Sequence, residues 1–258
     1  MAGPPEELVR ALVEGRLLTG LEWHEIAGST NTLAAEAAAR GVGEVHAVLA
    51  DQQTAGRGRQ GRGWRAPPGT SLLCSLVVRP AVSTGVLGLL PLLTGLALAE
   101  AVDAASPGLD VALKWPNDLL VGGRKAAGVL VESGPADAVI VGVGINVDWR
   151  GVDRPPELAA ATSLAEAVGG PVDRWDVLAA LVRSFVVRYR AWPTQLTGFL
   201  DAYRERCATI GSPVRVSLVS GEVVSGRAVD VTCGGTLLLG LPDGATRAVT
   251  AGDVEHVR

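Results

Sequence analysis

Residues 55–65, AGRGRQGRGWR, hold the densest set of groups in the chain that could bind an anion. Four arginines alternate there with four glycines, and no acidic residue occurs from Gln52 to Ala99, although the chain has a formal net charge of −4. Glycine lets backbone N–H groups come close to a ligand, and the arginine guanidinium binds phosphate or carboxylate through paired hydrogen bonds. The segment predicts a cationic loop that binds an anionic ligand, in preference to a solvated turn.

The spacing Gly56-x-Gly58-x-x-Gly61 also matches the dinucleotide-binding fingerprint. That fingerprint must open a helix and needs an acidic residue about twenty positions later. Here Ala-Pro-Pro-Gly follows at 66–69 and the next acid is Glu100, so the dinucleotide interpretation fails. A Walker phosphate loop is missing as well. An RNA-binding Arg/Gly segment stays open as an alternative, but such segments favour stacking aromatics, and the chain has two Phe and two Tyr.

Lysine occurs only at positions 114 and 125, and every other basic residue is arginine. A lysine is a compact point charge with an adjustable pKa, which arginine cannot replace at a reacting phosphate or carboxylate. Lys125 begins a predicted strand, and the period of two places Ala127, Val129 and Val131 on its face. We interpret both lysines as candidates for chemistry, with two exposed strand lysines as the structural alternative.

Residues 114–118, Lys-Trp-Pro-Asn-Asp, form a second motif. Pro116 fixes its own φ and ends the preceding strand, so Asn117 and Asp118 fall in a turn where local hydrogen bonds hold their side chains. The motif predicts a polar turn at a strand end, shortly before Lys125.

The third motif is Val-Gly-Val-Gly-Ile-Asn-Val at 141–147. Alternation places its aliphatic residues on the core face and Gly142, Gly144 and Asn146 on the other face. Glycine inside a strand is unfavourable unless something must approach the backbone closely. The motif therefore predicts a bare shelf that receives either a planar ligand such as a purine or a packed helix.

Other elements must position these motifs, and hydrophobic periodicity predicts them. Helices are predicted over 4–18, 32–40, 84–105, 174–191 and 195–207, and strands over 45–50, 72–78, 110–115, 118–121, 126–132 and 138–147. After Gly211, short valine-rich strands at 214–219, 222–231, 236–240 and 246–250 indicate a small barrel. The 258 residues therefore predict an α/β or α+β domain of catalytic size and a small all-β module, with a boundary near 209–212.

Cysteine and histidine patterns exclude several classes of site. The three cysteines and three histidines are widely scattered, which argues against a disulfide scaffold or a zinc site and fits a reducing cytoplasm. No secretory leader is predicted, since the first twenty residues carry charges throughout. Residues 80–99 are uncharged and long enough to span a bilayer. Pro91 and glycines interrupt them, however, and Glu100 and Asp103 continue the helical spacing, so a buried helix is expected.

The order and spacing of five segments resemble the biotin–protein ligase family: residues 29–31, 56–62, 114–118, 125–128 and 142–146. The resemblance covers about 24–210 and the small C-terminal module. It implies an α+β fold of the class II synthetase-like, biotin/lipoate ligase type. A mixed-sheet catalytic domain flanked by helices would occupy 1–209, and an SH3-like barrel would occupy 210–258.

The resemblance also implies a two-step reaction with ATP, Mg²⁺ and biotin. The biotin carboxylate would attack the α-phosphate of ATP, giving biotinyl-5′-AMP and pyrophosphate. A lysine of a biotin carboxyl carrier domain, from a biotin-dependent carboxylase, would then attack the mixed anhydride. A cationic loop suits this chemistry because it screens the repulsion between two anions. The implied enzyme is cytoplasmic, free of membrane, and a monomer or a weak, ligand-dependent homodimer.

Site residues follow by matching the family's motifs to this sequence. The implied biotin-binding residues are Ser29, Thr30, Asn31, Gln53, Gly56, Arg57, Gly58, Arg59, Trp64, Lys125 and Gly128. The implied ATP- and adenylate-binding residues are Arg57, Arg59, Arg62, Trp64, Lys114, Asn117, Lys125, Gly144 and Asn146. The implied catalytic residues are Lys125, Arg59 and Asp118. Lys125 would bridge the carboxylate and α-phosphate, and Asp118 would accept the amine's proton or help to hold Mg²⁺.

Many members of the family carry an N-terminal winged helix that binds DNA, and only about 20 residues precede the catalytic motifs here. We therefore expect a monofunctional ligase without operator binding. A lipoate–protein ligase is the neighbouring alternative, although the Arg/Gly loop favours biotin. The alternative from a different class is the Arg/Gly nucleic-acid-binding protein.

Overall fold

The computed structural model describes residues 3–257, and within them the chain alternates strands and helices before an all-β end. The helices are α1 (Glu6–Glu14), α2 (Thr30–Ala39), α3 (Leu90–Ala105), α4 (Leu164–Val168), α5 (Arg174–Ala191) and α6 (Leu196–Arg206). The strands are β1 (Gly20–Ala27), β2 (His46–Gln53), β3 (Ser71–Val78), β4 (Val111–Lys114), β5 (Asp118–Val121), β6 (Arg124–Ser133), β7 (Val139–Asn146), β8 (Pro213–Ser217), β9 (Val223–Val231), β10 (Leu237–Gly240), β11 (Thr246–Val249) and β12 (Asp253–His256).

The first seven strands form one mixed sheet in the order β1-β2-β3-β7-β6-β5-β4. β1 and β2 run parallel, and the other neighbouring pairs are antiparallel. The last five strands form an antiparallel sheet in the order β11-β10-β9-β8-β12. The predicted α+β fold with a mixed sheet is confirmed. The expected barrel is an open sheet across the described residues, because β12 pairs with β8 and leaves β11 at the opposite edge.

Helices cover the two faces of the seven-stranded sheet unequally. On one face α3 packs against α5, and both contribute to the main hydrophobic core. On the other face α2 lies over β2, β3 and β7 through small residues, with Ala34, Ala37 and Ala38 against Val48 and Val77. Alanine lets the helix axis come close to the strands, so the N-terminus of α2 is held just above the sheet.

The apolar stretch that could have spanned a membrane is a buried helix, as predicted. Residues Gly85–Ala105 are long and apolar enough to cross a bilayer, and about two thirds of the most apolar window is buried. The first turns, Thr84–Leu89, form a 3-10 helix, and the α-helix begins at Leu90 with Pro91 in its first turn. Proline is tolerated there because the first helical N–H groups have no intrahelical partner.

Three elements were not predicted: β1, α4 and β12. β1 alternates Leu21 and Trp23 with charged residues and lies at the sheet edge, so its apolar signal is short. α4 has five residues but carries a capping box between Ser163 and Glu166 and a left-handed Gly169 at its end. Those cap residues are a local signal from which α4 could have been predicted.

The second sheet shares the main hydrophobic core with the first part of the chain, and the polar turn and α6 add polar contacts. Trp115 donates from Nε1 to the Gly235 carbonyl at 2.9 Å, and Thr209 Oγ1 accepts from the Trp115 backbone N–H at 3.0 Å. Arg204 donates to Asp230 at 2.9 Å and to the Val231 carbonyl at 2.7 Å. The second sheet begins at Pro213, and the division at 209/210 stays a prediction about domains.

Candidate active site

The predicted glycine shelf lies in the middle of the sheet face that α2 covers. Gly142 and Gly144 of β7 are neighbours of β6, where Gly128 pairs with Gly144. A Cβ at Gly142 would lie 2.1 Å from Asn31 Oδ1, and one at Gly144 would lie 2.4 Å from the Trp64 ring. Both positions therefore require glycine, because another side chain comes too close to the backbone to leave room for a Cβ. The partners are side chains of this chain, one from the start of α2 and one from the arginine loop.

A partly buried polar cluster lies where α2 begins. The backbone N–H of Thr30 donates to Gln53 Oε1 at 2.7 Å. Asn31 Nδ2 donates to Glu132 Oε2 at 2.6 Å, and Ser75 Oγ lies 2.6 Å from Asn31 Oδ1. The residues come from α2, β2, β3 and β6, so the cluster ties the helix start to three strands. It provides closely spaced oxygens at one end of the candidate site.

The arginine loop is a tight hairpin that folds back over the sheet. The Gly58 N–H donates to the Arg62 carbonyl at 2.6 Å, and the Trp64 N–H donates to the Gly56 carbonyl at 2.9 Å. Gln60 and Gly61 at its tip adopt positive φ angles of 54° and 72°. A Cβ on Gly56 would lie 2.5 Å from the Trp64 carbonyl, so this position needs glycine. The hairpin places the Trp64 indole on the glycine shelf.

Each arginine of the loop is held by a different part of the molecule. Arg57 donates to Glu132 at 2.9 Å, and Arg59 donates to Asn117 Oδ1 at 3.2 Å. Arg62 binds both carboxylate oxygens of Asp253, at 2.7 and 2.8 Å, and Arg65 donates to Glu157 at 2.8 Å. Burial lowers the pKa of the Arg59 guanidinium, yet the group stays charged at neutral pH.

Lys125 lies beside Gly128, contrary to the predicted face shared with Ala127 and Val129. The β5–β6 pairing contains a bulge: Leu119 pairs with Ala127, but the next residue, Leu120, pairs with Lys125. The alternation of side chains between the two sheet faces therefore fails between residues 125 and 127. The extra residue turns the lysine away from the core face. Lys125 Nζ donates to Asp118 Oδ1 at 2.6 Å and lies 5.7 Å from the Trp64 ring centroid.

Two adjoining cavities meet at Trp64 and Lys125. The first, of about 150 Å³, lies between the start of α2, the glycine shelf and the arginine loop. The predicted residues that line it are Ser29, Thr30, Asn31, Gln53, Arg57, Gly58, Arg59, Arg62, Trp64, Asn117, Lys125, Gly128 and Gly144. Most of the residues singled out from the sequence are thus brought together around one space.

Asn146 lines the second cavity, together with Trp149, Leu158 and Ala161. Asn146 Nδ2 donates to the Thr162 carbonyl at 2.9 Å. Its Oδ1 and the Nε1 of Trp64 are buried without a hydrogen-bond partner among the described residues. A buried polar atom without a partner is costly. An acceptor without a partner, Asn146 Oδ1, therefore lies buried at the wall of a largely apolar cavity.

Lys114 is not placed with the other predicted adenylate-binding residues. It lines neither cavity, because it lies in the β4–β5 pair next to the second sheet. At that position, the pKa of His256 is lowered mainly by burial of its imidazole and secondly by the charge of Lys114. Gly56 shapes the loop behind the first cavity. Asp118 reaches the site through its ion pair with Lys125.

The predicted magnesium role of Asp118 finds little support in the side chains around it. Residues 3–257 contain no cluster of three or more His, Cys, Asp or Glu side chains that could hold a metal ion. The Asp118 carboxylate is occupied by the Lys125 ammonium. Mg²⁺ in ATP-using enzymes is held largely by phosphate oxygens and water, so the residues present do not form a resident metal site.

Sequence reasoning missed Ser75, Glu132, Glu157 and Asp253, which bind side chains of the site. All four contact residues that are 44 or more positions away along the chain. No local motif marks such partners. Only the period-two alternation of β3, which puts Ser75 on the face opposite Cys74, could have indicated one of them.

The comparisons with known proteins agree with this arrangement. The model of the biotin/lipoate A/B protein ligase family matches residues 24–146, and that of the biotin protein ligase C-terminal domain matches residues 209–257. The biotin–[acetyl-CoA-carboxylase] ligase of Mycobacterium tuberculosis is 37% identical over 258 residues, covering 96% of this chain and 95% of that protein. Together with the fold, these matches define a protein ligase of the biotin/lipoate class.

Further relatives narrow the class. The bifunctional ligase/repressor BirA of Bacillus subtilis is 34% identical over 241 residues, covering 91% of this chain and 73% of that protein. The structure of biotin protein ligase from Aquifex aeolicus in complex with biotin and ATP superposes with a TM-score of 0.80 at 29% identity, covering 92% of this chain and 98% of that one. The chain belongs to the biotin protein ligase family.

Proposed function

We propose that this protein joins biotin to a lysine of a biotin carboxyl carrier domain in two steps, through biotinyl-5′-AMP. The observation that carries the proposal is the position of Lys125. Its ammonium lies at the junction of two cavities, one lined by oxygens and arginines and the other by apolar side chains with a free amide oxygen. That junction is where a carboxylate and an α-phosphate would have to meet.

In the first step the ureido ring of biotin occupies the α2 end of the first cavity, near Thr30 and Gln53. Its carboxylate then extends toward Lys125. Adenosine occupies the second cavity, where the exocyclic amine of adenine donates to the unpaired Asn146 Oδ1. A carboxylate oxygen attacks the α-phosphorus and pyrophosphate leaves. The ammonium of Lys125 stabilises the charge that develops between the two groups, with Arg59 closing the site.

In the second step the amine of the acceptor lysine attacks the acyl carbonyl of the adenylate. The C–O bond to the phosphate breaks, AMP leaves, and the amine loses a proton. Asp118 is the nearest carboxylate to Lys125 and is assigned to accept that proton. Mg²⁺ enters with the phosphates of ATP as part of the substrate, and none of these roles depends on a resident metal.

Biotin-dependent exchange of pyrophosphate into ATP tests the first step, and avidin detection of a labelled carrier domain tests the second. We expect exchange with biotin and little with lipoate. Exchange with lipoate alone would establish the neighbouring activity instead. Absence of exchange with either acid, from folded protein with Mg²⁺ present, would refute the proposal.

Several properties of the intact enzyme stay predictions with simple measurements. We expect the acceptor to be the carrier domain of a biotin-dependent carboxylase and the enzyme to work in the cytoplasm. Sedimentation with and without biotin and ATP tests for a monomer or a weak, ligand-dependent homodimer. A gel-shift assay tests the expectation that the chain binds no specific DNA, and a shift would contradict it.

A further inference from the structure

Ser75 lies beneath the start of α2 and has no role in the motifs above. Its side chain is fully buried in β3. Its hydroxyl oxygen is 2.6 Å from Asn31 Oδ1 and 2.8 Å from Thr30 Oγ1. Thr30 and Asn31 line the first cavity, whereas Ser75 lies behind them. Ser75 can therefore act on a ligand only through these two residues.

The orientation of the Asn31 amide is fixed by its other neighbours. Nδ2 lies 2.6 Å from a carboxylate oxygen of Glu132 and 3.4 Å from the Leu130 carbonyl oxygen. Both of those groups can only accept a hydrogen bond. The oxygen of the Asn31 amide must then face Ser75, and because that oxygen carries no proton, Ser75 has to donate to it.

The protons of the cluster can be counted. Thr30 Oγ1 also lies 3.0 Å from Gln53 Oε1, which already accepts the Thr30 backbone N–H. Three short oxygen–oxygen contacts are thus served by two hydroxyl protons, those of Ser75 and Thr30. By distance, those protons are assigned to the two shorter contacts, at 2.6 and 2.8 Å, and not to the third at 3.0 Å. The longest contact, between Thr30 Oγ1 and Gln53 Oε1, is left without a proton at the cavity wall.

We propose that Ser75 is a positioning residue that selects a ligand with an N–H donor at this end of the cavity. Ser75 gives its proton to Asn31 and accepts the proton of Thr30. The lone pairs of Thr30 Oγ1 and Gln53 Oε1 then face the ligand. The assignment rests on the proposed function, in which the N–H group belongs to the ureido ring of biotin.

Ser75→Ala removes both the donor to Asn31 and the acceptor for Thr30. The Thr30 proton then turns to Gln53 Oε1 and competes with the ligand N–H. We expect the KM for biotin in pyrophosphate exchange to rise about tenfold, the usual size of one lost neutral hydrogen bond. The rate at saturating biotin stays within about twofold, because the reacting groups near Lys125 are untouched.

The ligand provides the second arm of the test. Biotin analogues in which one ureido N–H is replaced by oxygen keep the ring shape and lose one donor. For the wild-type enzyme, the analogue altered at the nitrogen facing Thr30 should lose about tenfold or more in kcat/KM, because buried acceptors are left unpaired. In Ser75→Ala the loss of kcat/KM for this analogue relative to biotin should fall to about threefold or less. A general loosening of the fold would not reduce the difference between the two ligands.

Ser106→Ala is the matched control. Ser106 is also a buried serine, and its hydroxyl has no hydrogen-bond partner in the described residues. Two results would overturn the proposal. One is that replacing the ureido N–H with oxygen lowers kcat/KM by the same factor in Ser75→Ala and in the wild type. The other is that Ser75→Ala, like Ser106→Ala, leaves the KM for biotin unchanged. Should Ser75→Ala not fold, Ser75→Cys preserves the volume with a weak donor and is subject to the same criteria. Wild-type enzyme without biotin-dependent exchange would instead refute the proposed function, and this inference with it.

Discussion

The two walls of the first cavity are built on different physical principles. The wall at the start of α2 consists of buried, mostly neutral groups from the helix and from the strand beneath it, such as Thr30, Asn31 and Ser75. The opposite wall is the arginine loop, whose exposed charges are held by ion pairs with distant segments. Breaking a buried hydrogen bond leaves a desolvated atom unpaired, whereas an exposed ion pair contributes about 0–1 kcal/mol. One wall is suited to selecting a ligand and the other to exchanging protein carboxylates for ligand phosphates.

The largest effect is expected where the two walls meet, at Lys125. Lys125→Ala should lower biotin-dependent pyrophosphate exchange by about a thousandfold, the scale of losing one group that stabilises developing charge. Circular dichroism should show an intact fold, because the side chain is only partly buried. Near-normal exchange would remove Lys125 from the mechanism.

Lys114→Ala is the informative companion, since it makes the same change at the chain's other lysine. The structure places Lys114 outside both cavities, so we expect at most a few-fold change in exchange. A loss comparable to that of Lys125→Ala would restore the role in adenylate binding that the sequence motif predicts.

The next largest effect tests the wall at the start of α2. In Gly142→Ala the new methyl group would overlap Asn31 Oδ1, at 2.1 Å, and push Asn31 away from Ser75. We expect the KM for biotin to rise by roughly tenfold or more, with a lower melting temperature. Gly198→Ala is the control, because nothing lies within 4 Å of the added carbon. Since Gly198 is inside α6, that change should stabilise the fold by about 0.5–1 kcal/mol. Equal biotin KM values in the two variants would show that the wall tolerates displacement.

A smaller effect is expected for Arg59, the half-buried member of the loop. Arg59 donates to Asn117 and to the Gly252 carbonyl, so it closes the site against the second sheet. Arg59→Ala should release biotinyl-AMP about tenfold faster, a loss typical of one charged hydrogen bond. Chromatography of free adenylate during turnover measures this directly. Unchanged retention would show that the loop closes without Arg59.

The two walls also differ in how far they could be predicted. The residues at 29–31 and 55–65 are marked by local signals, because a run of three neighbouring polar residues and an alternation of Gly and Arg are compact in sequence. Helix α5 was predicted with its observed bounds, since its apolar face repeats over five turns. The partners of the loop could not be predicted, because Glu132 and Asp253 reach the arginines only after the sheets have formed.

Lys125 shows a second kind of limit. The period of two is exact only in an unbroken strand, and the bulge before Ala127 inserts one residue into the ladder. The sequence of β6 has no proline and no unusual residue at that point. The structure places the lysine at the junction of the two cavities, but its face was assigned incorrectly. Its position beside Gly128 became clear only from strand pairing.

The smallest effect should come from the exposed ion pair between Arg62 and Asp253. It decides whether ATP phosphates can replace the protein carboxylates that hold the loop arginines. Asp253→Asn frees Arg62, so the KM for ATP should fall by about two- to threefold at low salt. The change should vanish near 1 M salt, where the screening length is about 3 Å. Glu157→Gln, which frees Arg65, is the matched variant on the same loop. If Asp253→Asn instead raises the KM for ATP at every salt concentration, Asp253 orders Arg62 for binding, and the loop wall is as preorganised as the wall at α2.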